Sequence, residues 1–149
     1  MRHVPTGVTV ITTLHDGNDA GFTANAFASV SADPPMLLIC VNRSASSHGL
    51  ISASGVFCVN LLALEQQAIA EKFAGGDPKE RFSGVALERG LLGTAIIAGS
   101  LAYFECRLAE EHTAGTHTIF IGEVVACDSR SGEPLGYYDR TYRNFGLSA

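Results

Sequence analysis

Gly21-Phe22-Thr23-Ala24-Asn25-Ala26-Phe27-Ala28-Ser29-Val30-Ser31, closed by Asp33-Pro34-Pro35, is the stretch on which the reading of this chain turns. It sits where an all-β protein would place Val and Ile, yet it carries small and hydroxyl-bearing residues. Two segments that read as core strands flank it. A run of this kind lets a flat ligand with a polar edge come close to the backbone.

Upstream, Val8–Leu14 (VTVITTL) is β-branched and apolar and predicts a strand. Asp16–Gly21 is dense in turn formers, so a hairpin is expected there, with the opening run as its single return strand. Downstream, Pro34-Pro35 ends that strand, and Met36–Val41 (MLLICV) predicts a strand buried on both faces. Ser44–His48 reads as a loop feeding a short helix through Ser54, with Gly55 as its stop. Val56–Leu62 (VFCVNLL) is another strand.

Leu64–Ala74 predicts the best helix, with Leu64, Ala68 and either Ile69 or Phe73 near one face, ended by Gly75-Gly76-Asp77-Pro78. Lys79–Gly93 reads mostly as loop, with a short helix near Lys79–Phe82. Leu101–Ala109 and Thr118–Cys127 predict two long strands joined by a turn at Gly115, and Leu135–Phe145 is a mixed polar and aromatic tail. Six or seven strands without regular intervening helices argue against a doubly wound parallel sheet. The expectation is a mainly β, antiparallel barrel or sandwich with short helical insertions, forming one domain over residues 1–149.

Apolar content of 46% and charged content of 17% describe a folded protein. A net charge of −5 argues against nucleic acid as the main partner. No apolar run approaches the ~20 residues of a membrane span, and no charged, apolar and small-residue leader opens the chain. No membrane partner and a cytoplasmic location are the resulting expectations. Cys40, Cys58 and Cys106 lie in apolar, strand-like segments and read as buried thiols, while Cys127 ends such a run. No CxxC pair occurs, and His112 and His117 are five apart across the Gly115 turn, so no metal site is expected.

Phosphate loops of the GxxxxGK[ST] and GxGxxG types, GxSxG and HExxH are all missing. A chain without visible acid–base or nucleophile machinery suits chemistry carried by a bound cofactor.

The motifs then fall into a series: the Gly21–Pro35 run, NRSASS at 42–47, SGVFCVNLL at 54–62, AEKFA at 70–74, GSLAYFEC at 99–106 and GTHTIFIGEV at 115–124. From about Thr6 to Tyr142 this series resembles the flavin reductase family with the flavin-binding split-barrel fold. The resemblance implies an antiparallel Greek-key split β-barrel acting as a homodimer. It implies an NAD(P)H:flavin oxidoreductase that passes hydride from reduced nicotinamide to FMN or FAD and feeds a flavin-dependent monooxygenase. The alternative on the same scaffold is a flavin-binding electron-transfer or storage protein without NAD(P)H activity.

By the same resemblance, Gly21, Phe22, Thr23, Asn25 and Ala26 line the isoalloxazine, and Cys40, Val41 and Asn42 contact the ring and ribityl chain. Ser46 and Ser47 match a phosphate site, and they stand at a predicted helix N-terminus, where an anion is favoured. Lys72 and Phe73 match a charged and an apolar contact to the cofactor. His117 is the matched catalytic residue near the nicotinamide. Tyr137, Tyr138, Asp139 and Arg140 match the nicotinamide-nucleotide end, although Gly136 and the Asp139-Arg140 pair depart from the family's pattern there. No arginine cluster awaits a 2′-phosphate, which favours NADH as the co-substrate.

Overall fold

Two of the apolar runs are buried on both faces, and this sets the layers. The structure, a computed structural model, describes residues 1–146. The chain order is β1 (Thr6–Gly7), β2 (Thr9–His15), β3 (Asn18–Ala24), β4 (Phe27–Ala32), β5 (Pro35–Asn42), α1 (His48–Ser54), β6 (Val56–Leu61) and α2 (Gln67–Ala74). It continues with β7 (Leu87–Arg89), β8 (Ala95–Ile97), β9 (Ala102–Ala114), β10 (His117–Ser129), β11 (Leu135–Tyr138) and β12 (Thr141–Asn144). The alternating residues of β2 and β6 feed two cores. Ile11, Phe57 and Val59 join Ile39, Val41, Ile51 and Phe120 on the inner face. Val10 on the other face joins Val8, Leu62, Ala70, Phe73 and Ile97. Helix α1 plugs the first core through Ile51, and α2 seals the second through Ala70 and Phe73.

Seven strands form one antiparallel sheet in the order β3-β2-β6-β9-β10-β5-β4. Its two edges, β3 and β4, are consecutive in the chain and separated by only Asn25 and Ala26. Laid flat, seven strands would put those edges roughly 29 Å apart at ~4.8 Å per strand. The short link spans at most about 11 Å. The sheet must therefore curl until its edges approach, which is the split barrel expected from the sequence. The opening run is thus two strands, not the single return strand of a hairpin. Its middle crosses from one sheet edge to the other, and Ala26 there accepts a hydrogen bond from the Cys40 amide at 3.0 Å.

Other expectations are corrected by the packing. Strand β5 buries only Leu37, Ile39 and Val41 fully, and Leu38 and Cys40 are half-buried. Leu64–Gln66 is a 3₁₀ turn, which advances the chain by three residues per turn and rotates the following helix. Ala70 and Phe73 then face the core, and Ala68 is exposed. The segment read as loop, Lys79–Gly93, contains β7, and β8 just beyond it completes a hairpin that covers the outer face of β2, β6 and β9 and is tied to β3 by a two-pronged Arg89–Asp19 pair at 2.6 Å. The tail is a hairpin, β11–β12, paired to β1. All four cysteines are free; Cys58 and Cys106 are buried, Cys40 half-buried and Cys127 exposed. No helix of the described residues is long and apolar enough to cross a membrane.

Candidate active site

Where β3 ends and the chain crosses to β4, a groove of about 220 Å³ opens beside Asn25. One wall is the Phe22–Ala26 backbone with its small side chains. The facing wall is the end of β5, where the period-2 alternation turns Cys40 and Asn42 into the groove and Val41 into the core, at 1% exposure. His117, the first residue of β10, is the antiparallel partner of Asn42 and closes that wall, and Ala45 lies between. Segments far apart in sequence thus meet through sheet register.

The polar groups here are only partly committed to the protein. Asn42 Oδ1 accepts from the Ser44 amide and hydroxyl, both at 2.9 Å, so the amide assignment leaves its NH₂ free to donate. Among the described residues the Asn25 carboxamide has no hydrogen-bond partner. His117 Nδ1 lies 2.9 Å from the Thr116 hydroxyl, which leaves Nε2 for a ligand. Thr23 differs: its hydroxyl donates to the Ala70 carbonyl at 2.6 Å and pins β3 to α2.

Several residues expected to touch a ligand form the scaffold behind the groove. Gly21 is buried, and a Cβ there would stand 2.8 Å from the Ile11 carbonyl and 3.1 Å from Phe73. Its smallness serves packing against β2 and Phe73, not ligand approach. Phe73 is fully buried, edge-on to Phe82 with ring centroids 4.9 Å apart. Lys72 donates its ammonium to the Ser83 carbonyl and borders a separate hollow at the Gly75–Arg81 loop. Ser47 caps α1 without a side-chain bond and is 2% exposed, while Ser46 faces solvent. His48 holds that helix start to β10, its Nε2 being 2.8 Å from the Thr118 hydroxyl.

The nicotinamide-end residues divide. Tyr137 lines a second groove, of about 230 Å³, that shares Thr23, Ala24 and Asn25 with the first. Tyr138 packs against His3 with the rings tilted by 56° and centroids 5.9 Å apart, and Asp139 pairs with Arg2 at 3.1 Å. Asp139 and Arg140 make the β11–β12 turn, with φ of 49° and 63°. These three hold the N-terminal segment and the turn, away from either groove. Two further residues, Tyr142, noted in the sequence only as one of a tyrosine cluster, and Arg81, to which it drew no attention, belong in the account. Tyr142 is the cross-strand partner of Tyr137 and lines the same groove. Arg81 donates to the Gly21 carbonyl at 2.8 Å and to the Gly75 carbonyl at 3.3 Å, clamping β3 to the loop after α2. Pairing of Tyr137 with Tyr142 across a two-residue turn was the signal for the first; nothing local signals the second.

The family profile for the flavin reductase like domain matches residues 1–146. The chain belongs to the flavin reductase family. As a member of it, the chain is 40% identical over 138 residues to the reductase subunit HsaB of a flavin-dependent monooxygenase from Rhodococcus jostii, covering 92% of this chain and 70% of that one. It is 40% identical over 151 residues to the FMN reductase (NADH) RutF of Stutzerimonas stutzeri, covering 100% and 86%. Among solved structures, the NADH:FAD oxidoreductase SgcE6 of Streptomyces globisporus, in complex with NAD and FAD fragments, superposes with a TM-score of 0.93 at 36% identity. That match covers 99% of this chain and 89% of the other. Among the described residues no three His, Cys, Asp or Glu side chains are grouped so that they could hold a metal ion. His112 instead pairs with Glu110 at 2.7 Å.

Proposed function

We propose that this chain is a flavin reductase that takes hydride from NADH and delivers it to FMN or FAD bound in the Asn25 groove. The observation that carries the reading is the convergence of Asn25, Asn42 and His117 on one narrow groove with polar groups uncommitted to the protein. A flat ring with a polar edge fits that donor set, and Ala24, Ala26 and Ala45 leave room for its face. The names of the relatives, FMN reductase (NADH) and NADH:FAD oxidoreductase, support the same reading.

A bound flavin supplies the hydride-accepting ring. The chain's own residues bind and orient. Backbone groups of Thr23–Ala26 and the Asn25 amide hold the polar edge, where donors stabilise negative charge as it develops. His117, at the mouth and half-buried, orients the nicotinamide carboxamide through Nε2. Ser46 at the loop mouth, and not the buried Ser47, is the hydroxyl open to the flavin phosphate.

The reading extends to a single split-barrel domain acting as a homodimer in the cytoplasm and passing reduced flavin to a monooxygenase. An apolar groove of about 350 Å³ among Phe27, Met36, Leu37, Phe104 and Val124, beside the exposed Val30 of edge strand β4, supports coverage by a second copy. Four free cysteines fit a reducing compartment. HsaB, a reductase subunit of a flavin-dependent monooxygenase, supports the partner. The test is anaerobic stopped-flow mixing of the FMN- or FAD-loaded protein with NADH. Rapid bleaching of the flavin band is expected; bound flavin that stays oxidised would assign the chain to flavin storage or electron transfer instead.

A further inference from the structure

The chain between β5 and α1 fastens β10 on either side of His117. Arg43 donates its amide to the Thr116 carbonyl at 2.9 Å, just past the end of the β5–β10 ladder. His48, the first residue of α1, shares a hydrogen bond with the Thr118 hydroxyl, its Nε2 lying 2.8 Å away. His117 stands between these fastened positions. The pleat of β10 sends its neighbours to opposite faces. His117 lines the groove, while Thr118, at 5% exposure, and the fully buried Phe120 lie on the core face. The His48 ring packs against Phe120, tilted by 56° with centroids 5.3 Å apart. His48 therefore grips the strand from behind and does not itself line the groove. A buried hydroxyl stripped of its partner costs free energy, so the tie between His48 and Thr118 holds in the folded protein.

We propose that His48 is a positioning residue for hydride transfer, an inference that rests on the flavin reductase reading. By holding Thr118 it fixes the start of β10, and through it the direction in which His117 presents Nε2 to the nicotinamide. His117 opens its strand beside the Gly115 turn, where the backbone has fewer neighbours to hold it than in mid-sheet. A tie at the very next residue supplies that restraint. Small displacements of an orienting group are costly, because transfer between two rings needs the reacting atoms at a set distance and angle. His48 acts on the rate of reduction through His117 and leaves the binding of the flavin to other residues.

The experiment is anaerobic stopped-flow mixing of FMN-saturated protein with saturating NADH, beside an equilibrium FMN titration. It compares wild type, His48→Phe, His48→Gln and Thr118→Val, with His48→Phe and Thr118→Val also combined with His117→Ala. His48→Phe keeps a ring against Phe120 and loses the hydrogen bond, and His48→Gln restores a polar nitrogen at the same reach. Thr118→Val removes the hydroxyl at nearly constant volume and carries the same comparison if His48→Phe does not fold. His48→Phe and Thr118→Val are each expected to slow flavin reduction about fivefold. FMN affinity should stay within about twofold, and His48→Gln should recover most of the rate. In the His117→Ala background neither change should slow reduction further, because groups that act through one another are not additive. A full further loss in that background, no loss in the single variants, a His48→Gln rate as low as that of His48→Phe, or a loss of FMN affinity as large as the loss of rate would overturn the assignment. FMN-saturated wild type that stays oxidised with NADH would instead overturn the flavin reductase reading itself.

Discussion

The face beneath the β7–β8 hairpin and the groove beside Asn25 both set polar residues among apolar strands or at their ends, and they use them in opposite ways. Beneath the hairpin Thr12, Asn60, Gln66 and Glu105 each reach the backbone of one covering segment, residues 92–98. Thr12 donates to the Ala95 carbonyl at 2.6 Å, and Gln66 donates to the Ala98 carbonyl at 2.9 Å. Asn60 accepts from the Ile97 amide at 2.9 Å. Glu105, fully buried, accepts from the Leu92 amide at 2.8 Å, the Thr94 hydroxyl at 2.7 Å and the Thr94 amide at 3.3 Å. At the groove, Asn25, Asn42 and His117 keep donors free. A polar residue among apolar strands is therefore a candidate for a ligand contact only where no segment of the chain covers it.

The largest effect expected from this contrast is on stability. Glu105→Ala leaves the buried Thr94 hydroxyl and amide, and the part-buried Leu92 amide, without an acceptor and lowers the unfolding free energy by about 3 kcal/mol, measured by urea denaturation. Flavin affinity should stay within about twofold if the two regions are independent. A large loss of affinity would show that the hairpin supports the groove through Arg89 and Asp19.

On the open side, His117→Ala is expected to slow flavin reduction by NADH about tenfold and to change FMN affinity by less than about twofold. Stopped-flow bleaching and equilibrium titration separate the two quantities. Equal losses in both would move His117 from the nicotinamide side of the groove to the flavin side.

Much of this contrast was closed to the sequence. Asn60 in VFCVNLL and Asn25 in FTANAF look alike until the β7–β8 hairpin is placed over one of them. That hairpin has strands of three residues each, too short for a period to register. The core strands were legible because β-branched and apolar residues repeat through Val8–Leu14 and Val56–Leu62. The crossing at Asn25-Ala26 was not, since neither Gly nor Pro marks it and closure of a seven-stranded sheet imposes it. Gly21 was read as room for a ligand and proved to be room for the Ile11 carbonyl and Phe73. The ends of β3 and β5 and the start of β10 stood out in the sequence and meet at one groove, but which residues face it depended on the pleat: Cys40 and Asn42 do, and Val41 does not.

The β11–β12 hairpin was hidden by its turn, which has Asp139-Arg140 in place of the usual Asn-Gly. Arg140 holds φ at 63°, a region unfavourable to a side chain bearing Cβ. Arg140→Gly should raise stability by about 1 kcal/mol without altering either groove, because Arg140 lines neither. A change in NADH kinetics in this variant would return the turn to the nicotinamide site.

The smallest effect is an alkaline one. Burial, with Glu105 and Cys127 nearby, pushes the Cys106 thiol from its ordinary value of 9.0 up to about 12, and burial raises Cys58 as well. The folded state therefore holds these protons more tightly than the unfolded chain. The stability they contribute is fully present below pH 9.0 and is lost as pH rises toward the folded value of about 12. For Cys106 alone the loss at about pH 9.5 is under about 1 kcal/mol. Thermal melts across this range should show the decline in wild type and a shallower one in Cys106→Ala.

The central claim is that the open polar groove, and not the covered polar face, binds the flavin ring. Equilibrium FMN titration of wild type, Asn25→Leu and Asn60→Ala tests it most directly. The account expects saturable binding by wild type, about tenfold weaker binding by Asn25→Leu with its folding intact, and unchanged affinity in Asn60→Ala despite lower stability. Unchanged affinity in a folded Asn25→Leu variant would contradict it.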